Sequence, residues 1–216
     1  MRLYFVRHGK TEWNVEGRFQ GAGGDSPLLE ESKQDLKELG HYLADTDFDC
    51  VFSSDLTRAR KTAQLIMEEN HFPKQLIYTE ALREWQLGNL EGQKIDIMSS
   101  IYPKQMDAFR NNLALFKGNQ FNAETVYQTT KRVLDLVQCL KNKPFEKVLF
   151  VGHGANLTAS IKTLLGFPPA QLRLDGGLTN ASLTIVETED FKHFNLITWN
   201  DTSYLDVPED QVVYIR

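Results

Sequence analysis

Cysteine is scarce in this chain: Cys50 and Cys139 are the two in 216 residues. They have no CxxC spacing, which excludes a disulfide framework and a thiolate zinc or redox centre, so both are expected to be buried or inert. Long apolar runs are absent as well. Nothing approaches the ~20 consecutive apolar residues of a membrane span. Met1-Arg2 leads straight into an apolar strand pattern rather than a signal sequence, so the expected compartment is the cytoplasm, with no membrane partner. Basic charge is also short. With 24 Lys and Arg against 29 Asp and Glu, the formal net charge is −5. Broad nucleic-acid binding is thereby excluded, because it needs a basic surface to displace counterions, and any cationic site has to be local. There is no internal repeat and no low-complexity tract. The stretch Gly21-Ala22-Gly23-Gly24 lacks GxGxxG spacing and no Lys-Ser or Lys-Thr pair follows it, so no nucleotide loop is expected. The remainder, 41% hydrophobic and 25% charged, is an ordinary composition for one globular domain.

The apolar pattern alternates between strand and helix. Leu3-Tyr4-Phe5-Val6 reads as a first strand, and Leu29 to Asp45 carries a helical stripe through Leu29, Leu36, Leu39 and Leu43. A buried strand follows at Asp49 to Ser53, then a helix from Leu56 to Asn70 and a strand from Gln75 to Thr79. Leu82 to Gly92 is polar and glycine-containing, the pattern of a functional loop. The block from about 93 to 143 shows only helical signals, firmest from Ala123 to Leu140, and is expected to be a helical cap inserted in a single domain. Val148-Leu149-Phe150-Val151 is the strongest buried-strand signal, and Leu183 to Val186 and His193 to Trp199 suggest a late hairpin. Strands alternating with helices predict an α/β protein. The expected fold is a three-layer α/β/α sandwich on a mainly parallel, mixed sheet.

Two of these strands end alike. Arg7-His8-Gly9 follows the first and Gly152-His153-Gly154 follows the fourth, and the carboxyl ends of such strands face the ligand crevice. A histidine can serve as a nucleophile through one nitrogen while the other is hydrogen-bonded, which makes His8 the leading candidate. Arg7 and Arg58 supply planar cationic forks suited to phosphoryl oxygens, Asn14 a neutral donor, His153 a second imidazole, and Glu84 a carboxyl group for proton transfer. His41, His71 and His193 have no such context and read as surface groups. Trp85, Phe109 and Phe116 read as packing within the cap rather than as pocket walls.

Taken in order, these segments resemble the histidine phosphatase superfamily, the phosphoglycerate mutase-like group, over nearly the whole chain. Leu3 through Gly9 resembles its opening signature, and Thr11, Asn14, Arg18, Phe19, Gln20 and Gly21 fall at matching phosphate-site and substrate-loop positions. Ser53 through Ala59 resembles the second arginine motif, Leu82-Arg83-Glu84 with Gly88 through Gly92 the acid/base segment, and Val151 through Gly154 the second histidine motif. The resemblance implies a phosphohistidine at His8, a phosphate pocket from Arg7, Arg58, His153 and Asn14, and acid/base work by Glu84. It implies no metal and no other cofactor. Thr11, Arg18, Gln20 and Gly21 are expected to contact a small phosphomonoester substrate, and an exposed edge strand offers a surface for a homodimer.

Two departures favour hydrolysis over mutase chemistry. The glycolytic mutases of the family carry Arg-His-Tyr after the acid/base glutamate and paired arginines in the insert, where this chain has Trp85-Gln86-Leu87 and an Arg110 followed by Asn111 and Asn112. The set that would grip a phosphoglycerate carboxylate is therefore expected to be missing. The competing readings are a mutase, a noncatalytic phospholigand-binding protein, and a metal hydrolase using His8, His153 and Glu84, which the flanking arginines disfavour by repelling a cation.

Overall fold

The computed structural model describes residues 1–205. Within them one six-stranded sheet is built from β1 (Arg2–Arg7), β2 (Cys50–Ser54), β3 (Leu76–Thr79), β4 (Lys147–Gly152), β5 (Leu183–Glu187) and β6 (Asn195–Asp201). The order is β3-β2-β4-β1-β5-β6. The first four strands pair in parallel, while β5 runs antiparallel to both β1 and β6, so the late hairpin closes one edge. The helices are α1 (Glu12–Val15), α2 (Glu30–Tyr42), α3 (Thr57–Glu68), α4 (Ile95–Ile101), α5 (Pro103–Asn111), α6 (Val126–Gln138) and α7 (Gly154–Leu164).

The strand period of two sorts the central side chains into two cores. Leu3 and Phe5 of β1, with Val148 and Phe150 of β4, pack against Val133 and Val137 of α6 and Leu157 and Ile161 of α7. Tyr4, Val6, Leu149 and Val151 point the other way, onto Leu36 and Leu39 of α2 and Ala59, Ala63 and Ile66 of α3. A strand buried on both faces needs apolar residues at every position, which explains the unbroken runs at Leu3–Val6 and Val148–Val151. Three phenylalanines tie the central strands together, Phe5 stacking on Phe150 at 5.0 Å and Phe52 on Phe150 at 5.6 Å. The layers are therefore helix, sheet, helix.

The helical block expected over 93–143 divides. Its last helix, α6, returns to the sheet, because the stripe of Val133, Val137 and Leu140 completes the core around β1 and β4. The earlier part, with α4 and α5, forms a separate apolar cluster through Met98, Met106, Leu113, Phe116 and Phe121, joined to Trp85 and Leu90. The cysteines also divide: Cys50 is buried in β2, but Cys139 is exposed. It lies at the end of α6 beside the exposed Gln138, on the helix side away from Val133 and Val137, so the expectation of burial fails there. Among the described residues no helix is long and apolar enough to cross a membrane.

Candidate active site

Parallel pairing of β1 with β4 places Arg7 beside Gly152. The next residue on each strand is a histidine, so His8 and His153 emerge side by side at the carboxyl edge, their ring centroids 5.1 Å apart. Both are buried. His8 Nδ1 lies 2.6 Å from the Gly9 carbonyl oxygen. A carbonyl only accepts, so Nδ1 carries the proton and Nε2 keeps its lone pair. Burial, reinforced by the charges of Arg58 and Arg7, holds the His8 pKa well below the ordinary imidazole value, so the ring is neutral at pH 7. The backbone around it is fixed on three sides. His8 N donates to Gly152 O at 2.9 Å, Gly9 N donates to Thr62 Oγ1 at 3.1 Å, and Asn180 Nδ2 donates to His8 O at 3.0 Å.

His153 caps α7 and has the opposite tautomer. Arg58 Nε donates to its Nδ1 at 3.2 Å, which leaves Nε2–H to donate to Ser54 Oγ at 2.8 Å. Burial, then Arg58 and His8, push its pKa well below the usual value too. Arg58, on the first turn of α3, is almost fully engaged by the protein: Nη1 donates to Gly24 O at 2.7 Å and Asp25 Oδ1 at 3.0 Å, and Nη2 to Gly21 O at 3.0 Å.

Glu84 approaches from the loop after β3 and sits at the N-terminus of α7. Its Oε1 accepts from Trp85 N at 2.8 Å and Asn156 N at 2.7 Å, and its Oε2 accepts from Ala155 N at 2.8 Å. The first-turn N–H groups of a helix have no partners within the helix, so a carboxylate there is held by both hydrogen bonds and the helix dipole. Oε2 has the single N–H partner and is the freer oxygen. A second layer fixes the segment. Arg132 of α6 donates to the carbonyls of Glu80, Ala81 and Arg83 at 3.1–3.2 Å and pairs with Glu124 at 2.9 Å, and the Trp85 indole donates to Glu124 O at 2.8 Å.

Arg7, His8, Asn14, Arg18, Gln20 and Glu84 face one cavity of about 240 Å³, joined there by Phe19, Phe109 and Arg173. Buried and without hydrogen-bond partners are Arg7 Nε, Gln20 Nε2, and Arg173 Nε and Nη2, all on that wall. An orphaned buried donor costs about 1–3 kcal/mol, so four in one place mark a cradle for an anion. Burial lowers the Arg7 pKa to about 10, which leaves it charged at neutral pH. Gly154 makes room for it, since a Cβ there would stand 2.9 Å from Arg7 Nε and 3.0 Å from its Cζ.

Several expected residues lie elsewhere than on the wall. Thr11 is buried behind it, where its N–H donates to Asn14 Oδ1 at 3.1 Å and its hydroxyl to Gln20 Oε1 at 2.8 Å, so that Thr11 engages the oxygens of both amides. Gly21 makes no wall either. Its carbonyl holds Arg58, and its Cα packs so closely that a Cβ would meet Trp85 O at 2.4 Å. Arg58 and His153 stand one layer behind His8, because their polar atoms are already committed to Gly21, Gly24, Asp25 and Ser54. Arg18 lines the cavity mouth and donates to Gly92 O at 2.9 Å. Phe109, expected to pack within the cap, does so against Trp85 at 5.4 Å and also faces the cavity, whereas Trp85 and Phe116 are packing residues. His41, His71 and His193 are exposed beside Glu69, Asp45 and Asp190. Arg173 and Asn180 carried no sequence signal as site residues; each is a common residue type outside any motif, brought in by the fold, and Ser54, within the second arginine motif, was not singled out there.

The arrangement sets a neutral imidazole with an open Nε2 against an anion-binding wall, with a carboxylate opposite. Among the described residues no group of three or more His, Cys, Asp or Glu is placed to hold a metal ion.

Comparison with known proteins gives the family and the fold. The chain is 30% identical over 216 residues to the probable phosphoglycerate mutase GpmB of Salmonella arizonae, covering 96% of each chain. Its fold is similar to that of YhfR from Bacillus stearothermophilus, with a TM-score of 0.84, 31% identity, and 94% and 98% of the two chains covered. It is also similar to a mycobacterial glucosyl-3-phosphoglycerate phosphatase in complex with VO3, with a TM-score of 0.83, 28% identity, and 92% and 98% covered. The family model of the histidine phosphatase superfamily (branch 1) matches residues 3–202, and the chain belongs to that superfamily.

Proposed function

We propose that this chain is a cytoplasmic phosphomonoester hydrolase that acts on a small phosphorylated metabolite through a phosphohistidine at His8, without a metal or nucleotide cofactor. The observation that carries this reading is the pairing of an open His8 Nε2 with the partnerless donors of Arg7 and Gln20 on the same cavity wall. The phosphoryl group lies against Arg7, Asn14 and Gln20, which replace its water shell with fixed donors. His8 Nε2 attacks phosphorus in line. The N–P bond forms as the ester P–O bond breaks, and Glu84 delivers a proton from Oε2 to the departing oxygen. The Nδ1–H keeps donating to the Gly9 carbonyl throughout, so positive charge on the phosphorylated ring is met where it develops. In the second half Glu84 takes a proton from water, water attacks phosphorus, the N–P bond breaks and inorganic phosphate leaves. His8 is neutral again, and the proton that Glu84 gave up has been replaced by one from water. Arg58 and His153 orient His8 and hold the field around it from the layer behind.

Relatives are named both as a phosphatase and as a probable mutase, so the product decides. Incubation with a panel of phosphometabolites is expected to release inorganic phosphate in the presence of chelator, and His8→Ala to release none. An isomerised phosphoester that depends on a bisphosphate primer would identify a mutase instead. Tight binding without turnover of any panel member would identify a phospholigand-binding protein.

A further inference from the structure

Arg173 is not used by the transfer just described. It follows the turn Pro169–Gln171, its Nε and Nη2 are buried without partners, and its guanidinium lies 5.2 Å from the Phe109 ring centroid. It faces the His8 cavity and also an adjoining cleft of about 150 Å³, where Phe19, Ile95, Met106, Phe109 and Arg110 are its neighbours. Arg110 is an exposed residue on α5. Two arginines far apart in the chain thus meet at one apolar side cleft, one deep and one at the rim. Guanidinium stays charged in any protein environment, and a buried cation without a hydrogen-bonding anion is costly. Glu84 attracts Arg173 across the cavity, but its oxygens are taken by backbone N–H groups. Burial disfavours the charge that Arg173 nevertheless carries.

We infer that Arg173, with Arg110 at the rim, binds a second acidic group of the substrate, a carboxylate or a second phosphate, a few bonds from the ester that His8 attacks. The substrate class is then small phosphomonoesters that carry another acid. This rests on the phosphomonoester reading of the site. It also places an anion site at Arg110, where the sequence had no paired arginines to suggest one.

Two matched pairs test it, with dissociation constants measured by calorimetry in a His8→Asn background that prevents turnover. One pair is 3-phosphoglycerate against glycerol 3-phosphate, and the other is propane-1,3-diol bisphosphate against 3-hydroxypropyl phosphate. The diacid of at least one pair is expected to bind about 10- to 100-fold more tightly, the scale of charge-assisted hydrogen bonds. Arg173→Gln is expected to collapse that ratio toward one, and Arg173→Lys to retain part of it. The pair that shows the preference tells carboxylate from phosphate. Equal affinity within both pairs, binding of neither member, or equal weakening of both members in Arg173→Gln would overturn the assignment. Phosphate release from the monoacids by the His8-intact protein is followed alongside. Its failure counts against hydrolysis and leaves the affinity ratio standing as its own result.

Discussion

A single backbone carbonyl decides what His8 can do. Because Nδ1–H donates to Gly9 O, the reactive lone pair is on Nε2, and burial keeps that lone pair free of a proton. Replacement by asparagine removes it, and His8→Asn is expected to lower kcat by about 10³-fold or more in a phosphate-release assay. Gly154 supplies a second test. Alanine there would drive Arg7 from its place on the wall, so Gly154→Ala is expected to raise KM about tenfold and to destabilise by about 1–3 kcal/mol, read from initial rates and urea melts. Unchanged KM would show that Arg7 does not bind substrate. At this scale the sequence was legible wherever a residue ended a strand or sat in an ordered motif, as with Arg7, His8, Glu84 and His153. Arg173 was illegible: it is one arginine between two leucines, and its meaning comes from Phe109 and Arg110, which only folding brings near.

The elements show a different limit. Periodicity identified α6 as an amphipathic helix, but it cannot say which layer a helix joins. The structure divides the block by packing: α6 completes the sheet core, while α4 and α5 stand with the aromatic cluster above the cavity. Placed there, α6 also carries Arg132, which clamps three carbonyls of the Glu84 segment and pairs with the largely buried Glu124. Arg132→Met keeps the stem and removes the clamp. It is expected to cost about 2 kcal/mol in denaturant unfolding, since the pair is less than a third exposed on either side, and to lower kcat more than it raises KM. An effect on stability with kcat intact would reduce Arg132 to a structural role. The parallel core was readable from apolar runs alone, because a strand buried on both faces leaves no room for polar residues, whereas the edge strand β6 is largely open and mixes polar with apolar residues.

For the whole molecule, folding keeps two imidazoles neutral in a chain that is acidic overall. His8 and His153 both have depressed pKa values through burial first and arginine charge second, whereas unfolded histidine binds a proton near pH 6.5. Below that pH the unfolded chain holds more protons than the fold. Stability is therefore full above about pH 6.5 and declines as the pH falls toward the folded-state values, by up to about 1.4 kcal/mol per pH unit for each histidine. Urea midpoints between pH 7.5 and 5 are expected to follow this slope, and His8→Asn to make it shallower; an identical slope in the variant would mean that His8 is not held neutral. The most direct test of the account is to trap the enzyme in turnover. Mixing with a labelled phosphomonoester, quenching in base within milliseconds and mapping by mass spectrometry is predicted to find phosphate on His8 alone, acid-labile and decaying to free phosphate at the rate of turnover. Sustained phosphate release with no phosphoryl group on His8, or with His8→Asn as active as the parent, would contradict it.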